Sequence, residues 1–183
     1  MRVLALLMLL VCLPASAAEY NAVDAGKSRL GFTYRQMGVA VDGSFAKFAA
    51  SIDFDPAKPA AAKASIDVDL ASIDTGSPEG NDEVASKLWF DTKTYPVARF
   101  VSTAVKPLGG NRFELDGNLT MKGRTKPVRG QISYVPKGDD AAFDGDIVLK
   151  RSDFAIGEGE WADFDTVANE VQIKFHILAT ARK

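Results

Sequence analysis

Apolar and polar residues alternate along most of this chain, and a period of two constrains it to strands. Leu30, Phe32 and Tyr34 alternate with Gly31 and Thr33, and Ile52 and Phe54 sit between Ser51, Asp53 and Asp55. Ala64, Ile66, Val68 and Leu70 alternate with Ser65, Asp67 and Asp69. The same rule holds for Phe113, Leu115, Gly117 and Leu119, for Phe143, Gly145, Ile147 and Leu149, and for Val171, Ile173, Phe175 and Ile177. One face of each run is apolar and the other charged, the pattern of antiparallel strands around a single core. About eight such strands predict an all-β sandwich or closed barrel. Outward positions carry Asp, Glu and Lys, which excludes a membrane-spanning barrel with its apolar outer band.

The main interruption is Ser77 to Phe90. Asn81 as N-cap, followed by Asp82 and Glu83, predicts a short helix over about 81–88. Val84, Leu88 and Phe90 would share one face of it, laid across the barrel mouth or against its side. No linker, charge block or repeat divides the domain.

The first 18 residues read as a secretory signal peptide. Arg2 supplies the positive end, Val3 to Leu13 the apolar run, and Ala15-Ser16-Ala17-Ala18 the small residues of a cleavage site. The run is too short to span a bilayer. A lipid-anchor reading through Cys12 is disfavoured by Val11, where a small residue is expected. Cleavage removes Cys12, so residues 19–183 form an exported domain held by its core alone, which fits a bacterial periplasm. Its net charge moves from −2 to −3 on loss of Arg2, and offers no basic excess to attract nucleic acid.

Pairing across a Gly109-Gly110 turn sets Ser102 opposite Gly117 and Phe100 opposite Leu119, with Phe100, Ser102 and Ala104 inside. A second hairpin, turning through Met121 to Lys126, would pair Leu119 with Val128, Gly117 with Gly130 and Leu115 with Ile132. Gly117, Gly130 and Ser102 would then leave a bare belt on the inner wall. Glycines also serve bending, but in a barrel of this size a belt of small residues favours a lumen able to hold one small ligand.

Chemistry-bearing residues are sparse. His176 is the only histidine, and its parity points it outward, so no metal site of the common His or Cys types is expected. No internal histidine exists to activate a serine. Glu158, Glu160, Asp163 and Asp165 could form a hydrolytic carboxylate pair or a Ca²⁺ site, although a solvated loop is simpler. The stretch Arg151 to Trp161, R-S-D-F-A-I-G-E-G-E-W, holds aromatics, glycines and acids with no nucleophile–base pair, which suits a barrel rim better than a catalytic centre. Lys122, Arg124 and Lys126 crowd one hairpin end near Arg129 and Arg151. Such charges are solvated, or meet an anionic head group at a cavity mouth.

The order and spacing of several short motifs resemble the YceI-like family of exported polyisoprenoid-binding proteins. They are Leu70-Ala71-Ser72-Ile73-Asp74-Thr75-Gly76, Trp89-Phe90-Asp91, Tyr95-Pro96, Phe100-Val101-Ser102-Thr103, Gly117 through Val128, and Arg151-Ser152-Asp153-Phe154. Where many members carry Arg-Asp-X-His, this chain has Asn81-Asp82-Glu83-Val84, and Ala155 stands where Gly is usual. The resemblance implies an antiparallel, eight-stranded, lipocalin-like barrel holding a prenyl pyrophosphate or isoprenoid quinone, with no catalytic residue and no cofactor. The expected ligand wall comprises Phe32, Tyr34 and Phe45; Ile66 and Val68; Trp89 and Phe90; Phe100 and Ser102; Leu115, Gly117 and Leu119; Gly130 and Ile132; and Phe154, Trp161 and Phe175. Lys122, Arg124, Lys126 and Arg151 are the expected head-group contacts. The Gly-Glu-Trp-Ala-Asp ending is similar to a subgroup joined to membrane b-type cytochromes, which makes such a cytochrome a candidate partner. Two other readings stay open: a hydrolase using the acids near Trp161, and a filled barrel acting as an interaction module.

Overall fold

The computed structural model describes residues 19–181; the expected signal peptide, residues 1–18, lies outside the described residues. Eleven strands form one curled antiparallel sheet: β1 Tyr20–Val23, β2 Arg29–Gln36, β3 Val39–Phe45, β4 Phe48–Asp53, β5 Lys63–Asp69, β6 Ile73–Asp74, β7 Val97–Gly109, β8 Arg112–Met121, β9 Arg124–Lys137, β10 Asp140–Lys150 and β11 Glu170–Ala181. The hydrogen-bonded path runs β4-β5-β7-β8-β9-β10-β11-β2-β3. Only Ala46 and Lys47 separate β3 from β4, so the path closes on itself through the chain. Counting that bent pair as one strand gives the expected eight-membered ring. β1 and β6 are short additions: β1 pairs with β11, and Tyr20 bridges Phe54, while β6 pairs with the end of β3.

The inner face follows the alternation, and the outer face carries ion pairs. Arg129 bonds Asp116 at 2.6 Å, and Lys106 reaches Asp116 at 2.7 Å and Glu114 at 3.0 Å. These cations hold the Asp116 carboxyl below the usual carboxylate range. His176 sits on the same outer face, 2.6 Å from Asp144, as its parity requires.

Two hairpin registers differ from expectation. The β7–β8 turn is Gly110-Asn111, both with positive φ, as a tight hairpin turn demands. Bulges between Ser102 and Ala104 and between Pro107 and Gly109 absorb the shift, so Ser102 still faces Gly117 and Phe100 still faces Leu119. The first bulge turns Val105 inward and buries it, in place of the expected Ala104. The β8–β9 turn is Lys122-Gly123, which pairs Gly117 with Val128, Leu115 with Gly130 and Phe113 with Ile132. The two glycines therefore do not face each other.

Nor are they bare. A Cβ on Gly117 would lie 2.3 Å from the Phe100 ring, and one on Gly130 2.3 Å from the Asp146 carbonyl oxygen. Phe32 covers Gly43 and Phe175 covers Gly145 in the same way. These glycines let a neighbour's side chain or backbone lie close against the wall.

The helix, α1, spans Pro78–Ala85, three residues earlier than expected. Ser77 is its N-cap, accepting from the Gly80 N–H, and Pro78 suits the first helical position. Asn81 instead accepts from both the backbone N–H and the hydroxyl of Thr75, each at 2.8 Å, fixing α1 to the end of β6.

Arg151 organises the loops at the α1 end of the barrel. It is 2% exposed, and its guanidinium donates to the carbonyls of Ala168, Ile156, Gly157, Trp161 and Val167 at 2.7–3.2 Å. Its plane lies near the Trp89 and Phe164 rings, at 5.7 and 5.1 Å. Burial lowers its pKa from the ordinary value, but a guanidinium stays charged in proteins. Here carbonyl dipoles take the place of a carboxylate. Beside it Ala155 adopts φ 55°, a left-handed conformation that glycine takes at no steric cost.

Two stability measurements follow by chemical denaturation. Arg151→Lys retains the charge but not the five-donor fork, and should cost about 2–4 kcal/mol, whereas exposed Arg124→Lys should cost nothing measurable. Equal stability of the two variants would show that the carbonyls find other partners. Gly130→Ala should cost about 1–3 kcal/mol by pressing on backbone, against about 0.5 or less for Gly26→Ala, where a Cβ meets nothing closer than 3.4 Å.

Candidate functional site: an apolar lumen

One end of the barrel is closed by aromatics. Phe54 contacts Phe113, Tyr134 and Phe143 at ring separations of 5.5, 5.0 and 5.1 Å, and Tyr134 donates to the Tyr20 hydroxyl at 3.2 Å. Burial and this bond raise the Tyr134 pKa well above its ordinary value, so the phenol stays neutral. At the other end Trp89, Phe154, Leu70, Leu149 and Ile156 form a second cluster under α1.

Between them lies a cavity of about 670 Å³, within the size of small-molecule sites. Ile66, Val68, Leu119, Val128, Val171, Ile173 and Phe175 all line it. Each points inward yet is only partly buried. In a filled core these side chains would be shut off; here they face empty space.

Most of the expected wall meets there. Phe32, Tyr34, Phe45, Ile66, Val68, Trp89, Phe90, Phe100, Leu115, Leu119, Ile132, Trp161 and Phe175 border the cavity. Ser102, Gly117, Gly130 and Phe154 do not. Ser102 sits at the β7 bulge, where its hydroxyl accepts from the Ala64 N–H. Gly117 lies behind Phe100 and Gly130 behind Ile147. Phe154, 1% exposed, packs behind the wall. Trp89 and Trp161 lie 5.6 Å apart, and both indole nitrogens are buried without a hydrogen bond. Both rings present apolar surface to the cavity, while each indole N–H remains an unpaired donor.

Among the described residues, the four expected head-group cations do not converge as free charges on the cavity. Arg151 touches the cavity, but its five N–H donors are engaged by backbone. Lys122 is tied down too: its ammonium donates to the carbonyls of Ala155 and Lys87 at 2.6 and 2.9 Å and lies 3.4 Å from Glu158. Arg124 and Lys126 are exposed on the β8–β9 hairpin and do not line the cavity. Of the exposed lining residues, Gln36, Ser77 and Glu79 mark an opening at the α1 end, with Thr75 and Glu83 beside them, and Lys63 lies at the other end.

Alternation alone could have found further wall residues such as Ile52 and Ile173. Nothing in the sequence marked Glu79, whose place depends on where α1 begins. Glu158, Glu160, Asp163 and Asp165 are all exposed, and none borders the cavity. The buried carboxylate pair that a hydrolase reading requires does not occur among them.

Residues 22–179 match the YceI-like domain family. A UPF0312 protein of Pseudomonas putida (strain GB-1) is 33% identical over 174 residues, covering 87% of each chain. The crystal structure of Burkholderia cenocepacia BcnA superposes with a TM-score of 0.84 at 47% identity, over 86% of this chain and 99% of that one. A domain from Saccharophagus degradans, described as polyisoprenoid-binding and implicated in plant cell wall breakdown, shares the fold at a TM-score of 0.69 and 19% identity, over 91% and 99% of the two chains. By its sequence, and with the same curled barrel, this chain belongs to the YceI-like family.

Proposed function

We propose that the protein is exported to the bacterial periplasm and carries an isoprenoid lipid in its lumen, binding the lipid without transforming it. The observation that carries this reading is the set of inward apolar side chains left partly exposed to a cavity of about 670 Å³. Burial is worth about 0.8 kcal/mol per CH₂. A chain of three prenyl units would thus supply on the order of 10 kcal/mol before ordering costs. The branched, aromatic-rich wall needs no reactive group for this. The hollow centre also argues against a filled interaction module. A membrane b-type cytochrome fits this reading as a giver or receiver of the lipid.

Ala50 lines the cavity from β4 and is small. Ala50→Trp would put a large side chain into the empty space and block a ligand while leaving the fold intact. Equilibrium binding of radiolabelled geranylgeraniol should weaken by about tenfold or more. His176→Ala, on the outer face, should leave it unchanged. Undiminished binding by folded Ala50→Trp would place the lipid outside the lumen.

A further inference from the structure

We infer that the mouth of this lumen selects an isoprenoid whose head group bears no negative charge, an alcohol, phenol or quinone oxygen rather than a phosphate or diphosphate. The inference rests on the carrier reading above and specifies its ligand.

A phosphate leaving bulk water needs cations with unused N–H donors. At the α1 end the cavity wall offers none among the described residues. Arg151 is consumed by five backbone carbonyls, and Lys122 by two carbonyls and Glu158. The positive end of α1 is likewise answered. Ser77 accepts from the Gly80 N–H, and Glu79 occupies the first turn.

What remains at the opening is acidic or neutral. Glu79 and Glu83 border the cavity from α1, a helix that also carries Asp82 and no basic residue. A diphosphate there would meet like charge across a partly desolvated rim. Gln36 and Ser77 border the same opening and can exchange hydrogen bonds with an uncharged oxygen at no electrostatic cost. Among the described residues, the one wall cation with an exposed side chain, Lys63, begins β5 at the opposite end, next to the aromatic plug.

Two ligands with one tail isolate the head: geranylgeraniol and geranylgeranyl diphosphate, titrated against the whole protein at low and high ionic strength. The alcohol should bind about thirtyfold more tightly at low salt, with the gap narrowing as salt screens the rim. Glu79→Gln combined with Glu83→Gln should improve diphosphate binding by about tenfold and leave the alcohol unchanged. Equal or tighter binding of the diphosphate by wild type would overturn the inference, and loss of that binding in Lys63→Ala would place the head at the plugged end. An equal change for both ligands in the Gln variant would show that the glutamates shape the mouth rather than select by charge. Should neither ligand bind, the carrier reading itself falls, an outcome distinct from equal binding of both.

Discussion

A ring of eight strands is at the limit of what its own inward side chains can fill. Whether it becomes a solid core or a container depends on where its large residues go. In this chain many of the aromatics are committed to one end or lie flat along the wall. Tyr20, Phe54, Phe113, Tyr134 and Phe143 gather into a plug at one end, while Phe32, Phe100 and Phe175 lie on Gly43, Gly117 and Gly145 in the wall. An aromatic lying along the wall thickens it instead of crossing the centre. The middle is lined by Ile, Val, Leu and Ala together with these wall-lying rings, and they do not meet across it.

Such a void weakens the domain, because its lining loses packing partners. The two ends compensate. The plug packs rings edge-on and satisfies its phenols internally. The α1 end is tied by side chains that each hold several backbone segments: Arg151 links both sides of the 156–168 loop, Lys122 joins it to the residues after α1, and Asn81 joins α1 to Thr75. A rigid rim around a hollow middle keeps the lumen open without a disulfide.

Much of this was legible in the alternation. The strand faces, the outward His176 and the wall residues on strands, such as Phe32, Ile66, Phe100, Leu115 and Phe175, followed from period two and the pairing of Phe100 with Leu119, whereas Trp89, Phe90 and Trp161 lie on no strand. The errors have physical causes. Strand pairing depends on bulges, and those in β7 leave no mark in a run such as Val101 to Pro107. Lys122-Gly123, both with positive φ, form the turn inside a run of basic residues whose charge says nothing about register. Arg151 shows the deeper limit. A sequence reveals that a cation is present, but not how many carbonyls it already serves, and that number decides whether it can meet a ligand.

The most direct test of the central claim is organic extraction and mass analysis of protein purified from its native host. The account predicts a lipid near one per protein, built from repeating five-carbon units and ending in an uncharged oxygen head. A lumen found without lipid, or filled by a straight-chain fatty acid or a prenyl diphosphate, would contradict it.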